Sequence, residues 1–203
     1  ELFDTETFER REVDMAKYKE QMLFICNRPF MHADRYQKPA RMVWQGDNDK
    51  FYVIRQSRDI KRADLCVVDV ATATAKDVIE EKMNTSIEWQ MPTLISGDRE
   101  VIQWSERTGW AHLYRYTAEG ELVNQITKGE WHVSNVLGVD DAKRVIYFTA
   151  TGYNKDENPY YQHFYSVSLD GGEVKQLDKG NFFHEPQIDD ACKYFVDNFS
   201  RVD

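Results

Sequence analysis

The side chains best suited to chemistry in this 203-residue chain fall into a few groups. Adjacent carboxylates at Glu80 and Glu81 offer the charge and the several acceptors that suit an ammonium group. They close a strand-like run just before Lys82, however, where a solvated edge that discourages sheet-to-sheet pairing is the expectation. Glu106 and Arg107 lie in a loop beside Gly109 and Trp110. They read either as an ion pair pinning that turn or as contacts for a substrate, a channel mouth or another domain. The five histidines, His32, His112, His132, His163 and His184, show no H-E-x-x-H or H-x-H spacing, and His32 with Asp34 makes too few ligands. No metal and no cofactor are therefore expected. His112 and His163 each precede a strand at matching positions, which predicts a shared structural role. Covalent catalysis is not expected either. A nucleophile elbow requires G-x-S-x-G, and no two of the glycines at 46, 97, 109, 120, 129, 138, 152, 171, 172 and 180 are four apart. No catalytic residue is assigned.

The elements that must position these groups are strands. Short alternating or β-branched and aromatic runs, such as Lys50-Phe51-Tyr52-Val53-Ile54-Arg55 and Arg144-Val145-Ile146-Tyr147-Phe148-Thr149, are broken by Gly, Asp and Asn. Residues 5–22 depart from this: Phe8, Met15, Tyr18 and Met22 stand three, four and seven apart, which fits either a short helix or remnants of strands. No apolar run nears the ~20 residues of a membrane-spanning helix. The balance of 26 Lys and Arg against 35 Asp and Glu gives −9, a field that repels phosphate backbones and anionic lipid, so nucleic acid is not an expected partner. Cys26, Cys66 and Cys192 lie far apart without a C-x-x-C pair, which excludes a zinc ribbon or a dense disulfide scaffold. Cys66, within an apolar run, reads as a buried thiol.

Three fourteen-residue segments align without gaps: LCVVDVATATAKDV from Leu65, LYRYTAEGELVNQI from Leu113 and FYSVSLDGGEVKQL from Phe164, offset by 48 and 51. Each is a strand, a turn and a strand. The hairpin is clearest at Asp170-Gly171-Gly172, where glycine accepts the positive φ of a tight turn. A second turn marker precedes each hairpin, with Asp47, Asp98, Asp141 and Asp190 separated by 51, 43 and 49 residues. A four-stranded antiparallel unit of this period is the blade of a β-propeller. A sandwich would not repeat its hairpin at a constant offset, and a parallel β-helix has shorter units without tight hairpins. The predicted fold is all-β: a partial propeller of about four antiparallel four-stranded blades over 41–88, 89–131, 132–180 and an incomplete 181–203. Residues 1–40 form an N-terminal segment or partial blade. Trp104, Trp110 and Trp131 are expected to fill the space between neighbouring sheets. Residues 153–161 read as an extended loop on one propeller face.

The segment Trp104-Ser105-Glu106-Arg107-Thr108-Gly109-Trp110-Ala111-His112-Leu113-Tyr114 resembles the S-E-R-D-G-W-x-H-L-Y signature of the N-terminal β-propeller in the dipeptidyl peptidase IV branch of the prolyl oligopeptidase family. Ile126-Thr127-Lys128-Gly129-Glu130-Trp131-His132-Val133 is similar to its I-T-x-G-x-W-x-V element, and Tyr194-Phe195-Val196-Asp197 with Ser200 to its Y-x-x-D-x-x-S strand. Thr108 stands where the family more often has an acidic residue. The resemblance implies a parent serine exopeptidase that releases dipeptides from N-termini. A separate C-terminal α/β-hydrolase domain would carry its triad, and this chain would cover the active site, restrict entry of peptide substrates, and supply domain or dimer contacts. Glu80-Glu81 is not expected to be the family's amino-terminal grip, which lies on an inserted helical segment. The contact candidates are Glu106, Arg107 and Trp110. Both ends look cut, so terminal blades should expose apolar faces and favour self-association. Relatives are commonly exported or membrane-anchored. The competing expectation is a free-standing propeller acting as an interaction module or periplasmic scaffold.

Overall fold

A computed structural model describes residues 1–26, 44–45 and 49–202. His32, Asp34, Gly46 and Asp47 lie outside the described residues. Period-2 alternation and frequent turns make strands throughout, and no helix occurs among the described residues. The first large sheet takes β3 (Gln21–Ile25), β5 (Lys50–Ser57), β6 (Arg62–Asp69) and β7 (Thr74–Lys82) in that order, with β4 (Trp44–Gln45) also pairing β5. The second takes β8 (Thr93–Ile95), β9 (Glu100–Ser105), β10 (His112–Thr117) and β11 (Leu122–Gln125). The third repeats it with β12 (His132–Asp140), β13 (Val145–Thr151), β14 (Gln162–Ser168) and β15 (Lys175–Gln176). A two-stranded sheet of β16 (Phe183–Ile188) and β17 (Phe195–Ser200) follows. Every strand pairs antiparallel with its sequence neighbour in these last three sheets, which is the blade pattern that the repeat implied. The β17 strand presents Val196 and Phe199 to solvent, at 70% and 62% exposure.

At the N-terminus the chain takes the strand alternative and not the helix. β1 (Leu2–Phe3) pairs β2 (Arg10–Arg11) around a turn in which Asp4 Oδ1 accepts from the Glu6 and Thr7 amides, both at 2.8 Å. The helical spacing fails because its apolar residues have no common surface to cover: Phe8 is 83% exposed, while Val13 and Met15 pack beside Phe51, Val53 and Val68. The next residues are held by charge.

The sheets bury one another's faces. Ile102, Trp104 and Leu113 of the second sheet pack with Val133, Ile146, Phe148 and Tyr165 of the third. On its other side, Val101, Tyr114 and Tyr116 pack with Tyr52, Ile54, Leu65 and Val78 of the first. Each fully buried side chain of this size contributes about 1.5–3 kcal/mol. Close approach of the first two sheets needs glycine at one hairpin tip. Gly120, at φ +95°, lies so near the first sheet that a Cβ would fall 1.9 Å from the Val78 carbonyl oxygen. Gly171, its equivalent one repeat later, faces the Gln125 and Ile126 carbonyls at 3.6 Å, an ordinary contact, and glycine is suited there by φ +84°.

One cluster of buried charge lies on the first sheet. Arg55 and Asp64, facing each other across β5 and β6, are both almost fully buried. Asp64 Oδ2 accepts from Arg55 Nη2 at 3.1 Å, Lys17 Nζ at 3.1 Å and the Tyr18 hydroxyl at 2.7 Å. Arg55 also contacts Asp77, and its Nη1 donates to the Met15 carbonyl at 3.1 Å. Burial by itself would raise the Asp77 carboxyl, but hydrogen bonds from Lys17 and Cys66 and the charge of Arg55 hold it below the usual carboxylate range. Such a group stabilises the fold above its unfolded-state value, and that contribution is lost as pH falls through and below about 4. Arg55→Met, which leaves Asp64 buried beside fewer partners, is expected to cost about 3–5 kcal/mol in urea unfolding at neutral pH. Lys17→Met is expected to flatten the fall in stability between about pH 4 and 2.

Candidate functional site: the Arg107 loop and the buried histidines

The loop between β9 and β10 turns tightly because the Gly109 amide donates to the Glu106 carbonyl at 2.8 Å, with Gly109 at φ +88°. Arg107 leaves this turn toward the first sheet. Its Nε donates to Glu81 Oε1 at 3.1 Å and to Ser105 Oγ at 3.1 Å, and Nη2 reaches the same Glu81 oxygen. Nη1 donates to the Tyr116 hydroxyl, and the guanidinium lies 4.3 Å from the centre of the Tyr114 ring, within cation–π range. Burial opposes the charge on Arg107, and the Glu81 carboxylate and Tyr116 outweigh it, so the guanidinium is held firmly protonated. Burial pushes the Tyr116 hydroxyl up as well.

Of the residues expected to matter here, the structure pairs Arg107 with Glu81 of the preceding sheet. Glu80 and Glu81 do not act together, because successive strand residues point to opposite faces. Glu80 is exposed and pairs with Lys17 at 2.6 Å, whereas Glu81 is buried with its side chain 6% exposed. The solvated-edge expectation therefore holds for Glu80 and fails for Glu81, whose face of β7 is covered by the next sheet's loop. Trp104 and Trp131 fill the space between sheets as expected, while Trp110 is 43% exposed next to Arg107. The arrangement fixes a neutralised cation and an aromatic surface at one rim of the second sheet.

The histidines form a second constellation. His112 and His163 share the structural role that their matching positions predicted, and they do so in the same geometry. Thr127 Oγ1 accepts from the Leu113 amide at 3.0 Å and meets His112 Nδ1 at 3.1 Å. One repeat on, Asp178 Oδ2 accepts from the Phe164 amide at 2.6 Å while Asp178 Oδ1 meets His163 Nδ1 at 2.9 Å. The far nitrogen of each ring is also engaged, His112 Nε2 with the Gly129 carbonyl at 2.9 Å and His163 Nε2 with Glu157 Oε2 at 2.8 Å. Burial lowers His112, and the neighbouring His132 adds to that effect. His184 joins the later pair. Its Nδ1 lies 3.8 Å from Asp178 Oδ2 and 2.6 Å from Asp197 Oδ2. The base of the 153–161 loop closes over this region: Tyr153 packs on Trp131 and Tyr165, while the loop's outer residues are exposed, Tyr160 to 83%. Motif spacing could not find this cluster, since its members are 15 and 6 residues apart and meet only through the fold. The repeat could have. His163, Asp178 and His184 stand 51 residues after His112, Thr127 and Val133.

The three cysteines are free and buried. Burial pushes the Cys26 and Cys66 thiols up to about 12, which makes them inert as nucleophiles near neutral pH. For the Arg107 rim, Glu81→Gln keeps an acceptor and removes the charge. It is expected to lower stability by about 1–2 kcal/mol in urea unfolding, with most of that loss absent when Arg107→Gln is combined with it.

Comparison with known proteins accords with this geometry. The sequence model of the family described as "Dipeptidyl peptidase IV (DPP IV) N-terminal region" matches residues 11–203. Dipeptidyl peptidase 4 of Trichophyton equinum is 41% identical over 104 residues, covering 50% of this chain and 13% of that protein. Probable dipeptidyl peptidase 4 of Aspergillus fumigatus is 30% identical over 146 residues, 68% of this chain and 19% of its relative. The crystal structure of Porphyromonas gingivalis dipeptidyl peptidase 4 superposes with a TM-score of 0.67 at 19% identity, over 75% of this chain and 21% of that one. That of a putative dipeptidyl aminopeptidase IV from Bacteroides ovatus does so with a TM-score of 0.67 at 22% identity, over 78% and 25%. The chain thus spans less than a quarter of the length of these two curated relatives. By sequence and by its succession of antiparallel sheets, the chain belongs to the dipeptidyl peptidase IV N-terminal region family, whose β-propeller fold it shares.

Proposed function

We propose that this chain is the non-catalytic propeller portion of a dipeptidyl peptidase IV-like serine exopeptidase. In that role it covers the active site of a separate α/β-hydrolase domain, admits short or flexible N-termini, and contributes domain or dimer contacts. The family match over residues 11–203 carries this reading, and the lack of any G-x-S-x-G in the sequence accords with it. Glu106, Arg107 and Trp110 are the proposed contact residues. The guanidinium is already braced by Glu81, so it would meet a partner with little further loss of side-chain freedom. Trp110 offers exposed aromatic area of the kind enriched at binding hot spots.

The chain alone is expected to release no chromophore from a Gly-Pro chromogenic substrate above the buffer rate. Turnover that a serine-directed inhibitor abolishes, in uncontaminated protein, would exclude the non-catalytic assignment. Trp110→Ala is expected to weaken binding of the separately produced hydrolase domain by roughly tenfold or more, with the chain's unfolding midpoint unchanged. Equal affinity of the two forms, measured by calorimetry, would remove Trp110 from the contact.

A further inference from the structure

The most unusual buried chemistry in the chain lies where the third sheet meets the β16–β17 pair. One donor atom each from His163, Asp178 and His184 falls within 4.8 Å of the others, and all three side chains are buried. Asp178 is fully enclosed, and its polar contacts are His163, His184, the Phe164 amide, and Gln176 Nε2 at 2.7 Å. Glu157, Asp178 and Asp197 pair with His163 and His184, so three carboxylates gather here around two imidazoles. That differs from the other buried acids, Asp64 and Glu81, each of which holds an arginine.

Two sources of positive charge can balance such a group, a protonated ring or a bound cation. An imidazolium needs an acceptor at both nitrogens. His163 has them, in Asp178 and Glu157. His184 does not: its Nε2 is buried without a hydrogen-bond partner, and so is Asp197 Oδ1. His184 Nδ1 is the nitrogen turned toward Asp178 and Asp197, and the unpaired Nε2 and Asp197 Oδ1 each carry a desolvation cost that the protein's own groups leave unmet. The preceding repeat supplies the contrast. At the equivalent positions His112, Thr127 and Val133 form a neutral, hydrogen-bonded arrangement. The third repeat replaces the hydroxyl with a carboxylate and the apolar side chain with a second imidazole. Both changes add a metal donor.

We propose that His163, Asp178 and His184 form a structural site for a first-row divalent ion of the zinc class. Glu157 accepts from His163 Nε2 at 2.8 Å and so orients that ring, leaving Nδ1 facing Asp178, the second-sphere arrangement usual for metal-bound histidine. Imidazole and carboxylate donors suit zinc and its neighbours better than calcium or magnesium. A tetrahedral ion with bonds of about 2.0–2.1 Å draws its donors closer than the present 4.8 Å spread, which side-chain rotation supplies as the ion enters. Because the ligands come from β14, the segment after β15, and β16, the ion would clasp the last two sheets together.

The test uses the whole chain, stripped with a chelator and checked for retained β-sheet circular dichroism. Calorimetric titration with zinc is expected to show about one ion per chain, and cobalt(II) to give the visible absorption of a four-coordinate nitrogen and oxygen site. Zinc is also expected to raise the unfolding midpoint, since it binds the folded state. Asp178→Thr and His184→Val restore the side chains that the preceding repeat already accommodates, and each is expected to abolish the cobalt spectrum and weaken zinc binding at least 100-fold. Glu157→Gln is expected to weaken it roughly 10–100-fold. Failure of the folded wild-type chain to bind zinc or cobalt overturns the proposal, as does binding that Asp178→Thr and His184→Val leave unchanged. Should a variant unfold, the shift of the His163 and His184 ring nitrogens on zinc addition to the wild-type chain, seen by nitrogen NMR, decides the same point.

Discussion

A sheet with apolar side chains on both faces cannot stand alone in water, and everything else in this chain follows from that. Val101, Tyr114 and Tyr116 point one way out of the second sheet while Ile102, Trp104 and Leu113 point the other. Each set needs a neighbouring sheet, and that neighbour has the same need on its far side. The only way to satisfy it is to continue the series, so stability is shared between neighbours and does not reside in any one sheet. The polar groups follow the same rule. Glu81 of the first sheet is completed by Arg107 of the second, and Arg115 of the second by Asp170 of the third at 2.9 Å.

How much of this could be read beforehand depended on whether the determining contacts were local. The hairpins at Gly120 and Gly171 were legible because a tight turn writes its own residue types into the chain. The strands of the last three sheets were legible because alternation and constant offset are both properties of the sequence. Residues 5–22 were ambiguous, since Phe8, Met15 and Tyr18 keep a helical spacing and only the presence of Asp64 and Arg55 elsewhere draws Lys17 and Tyr18 into an extended path. The burial of Glu81 is hidden for a related reason: nothing near it in sequence says that another sheet's arginine will cover it. Trp110, expected between sheets with Trp104 and Trp131, stands on the rim because the turn at Gly109 carries it past the edge.

The candidate sites show the same division. Glu106, Arg107 and Trp110 were visible through a resemblance spanning one loop, although the partner of Arg107 was not. The His163, Asp178 and His184 cluster was hidden from any spacing rule and exposed only when one repeat was laid over the next. Repetition gives such a fold a built-in control. A residue that differs from its equivalents while the backbone around it stays the same, as Asp178 differs from Thr127, signals a local demand that the common framework does not impose.

Gly120 sits where even one added carbon would strike the backbone of the sheet before it, whereas Gly171, at the same station one repeat on, leaves room for that carbon in ordinary contact. The bare position at Gly120 is a spacer of minimum thickness between the first two sheets. It sets how closely the second sheet's hairpin can lie against its predecessor, and a methyl group there would push those two sheets apart before it altered either one.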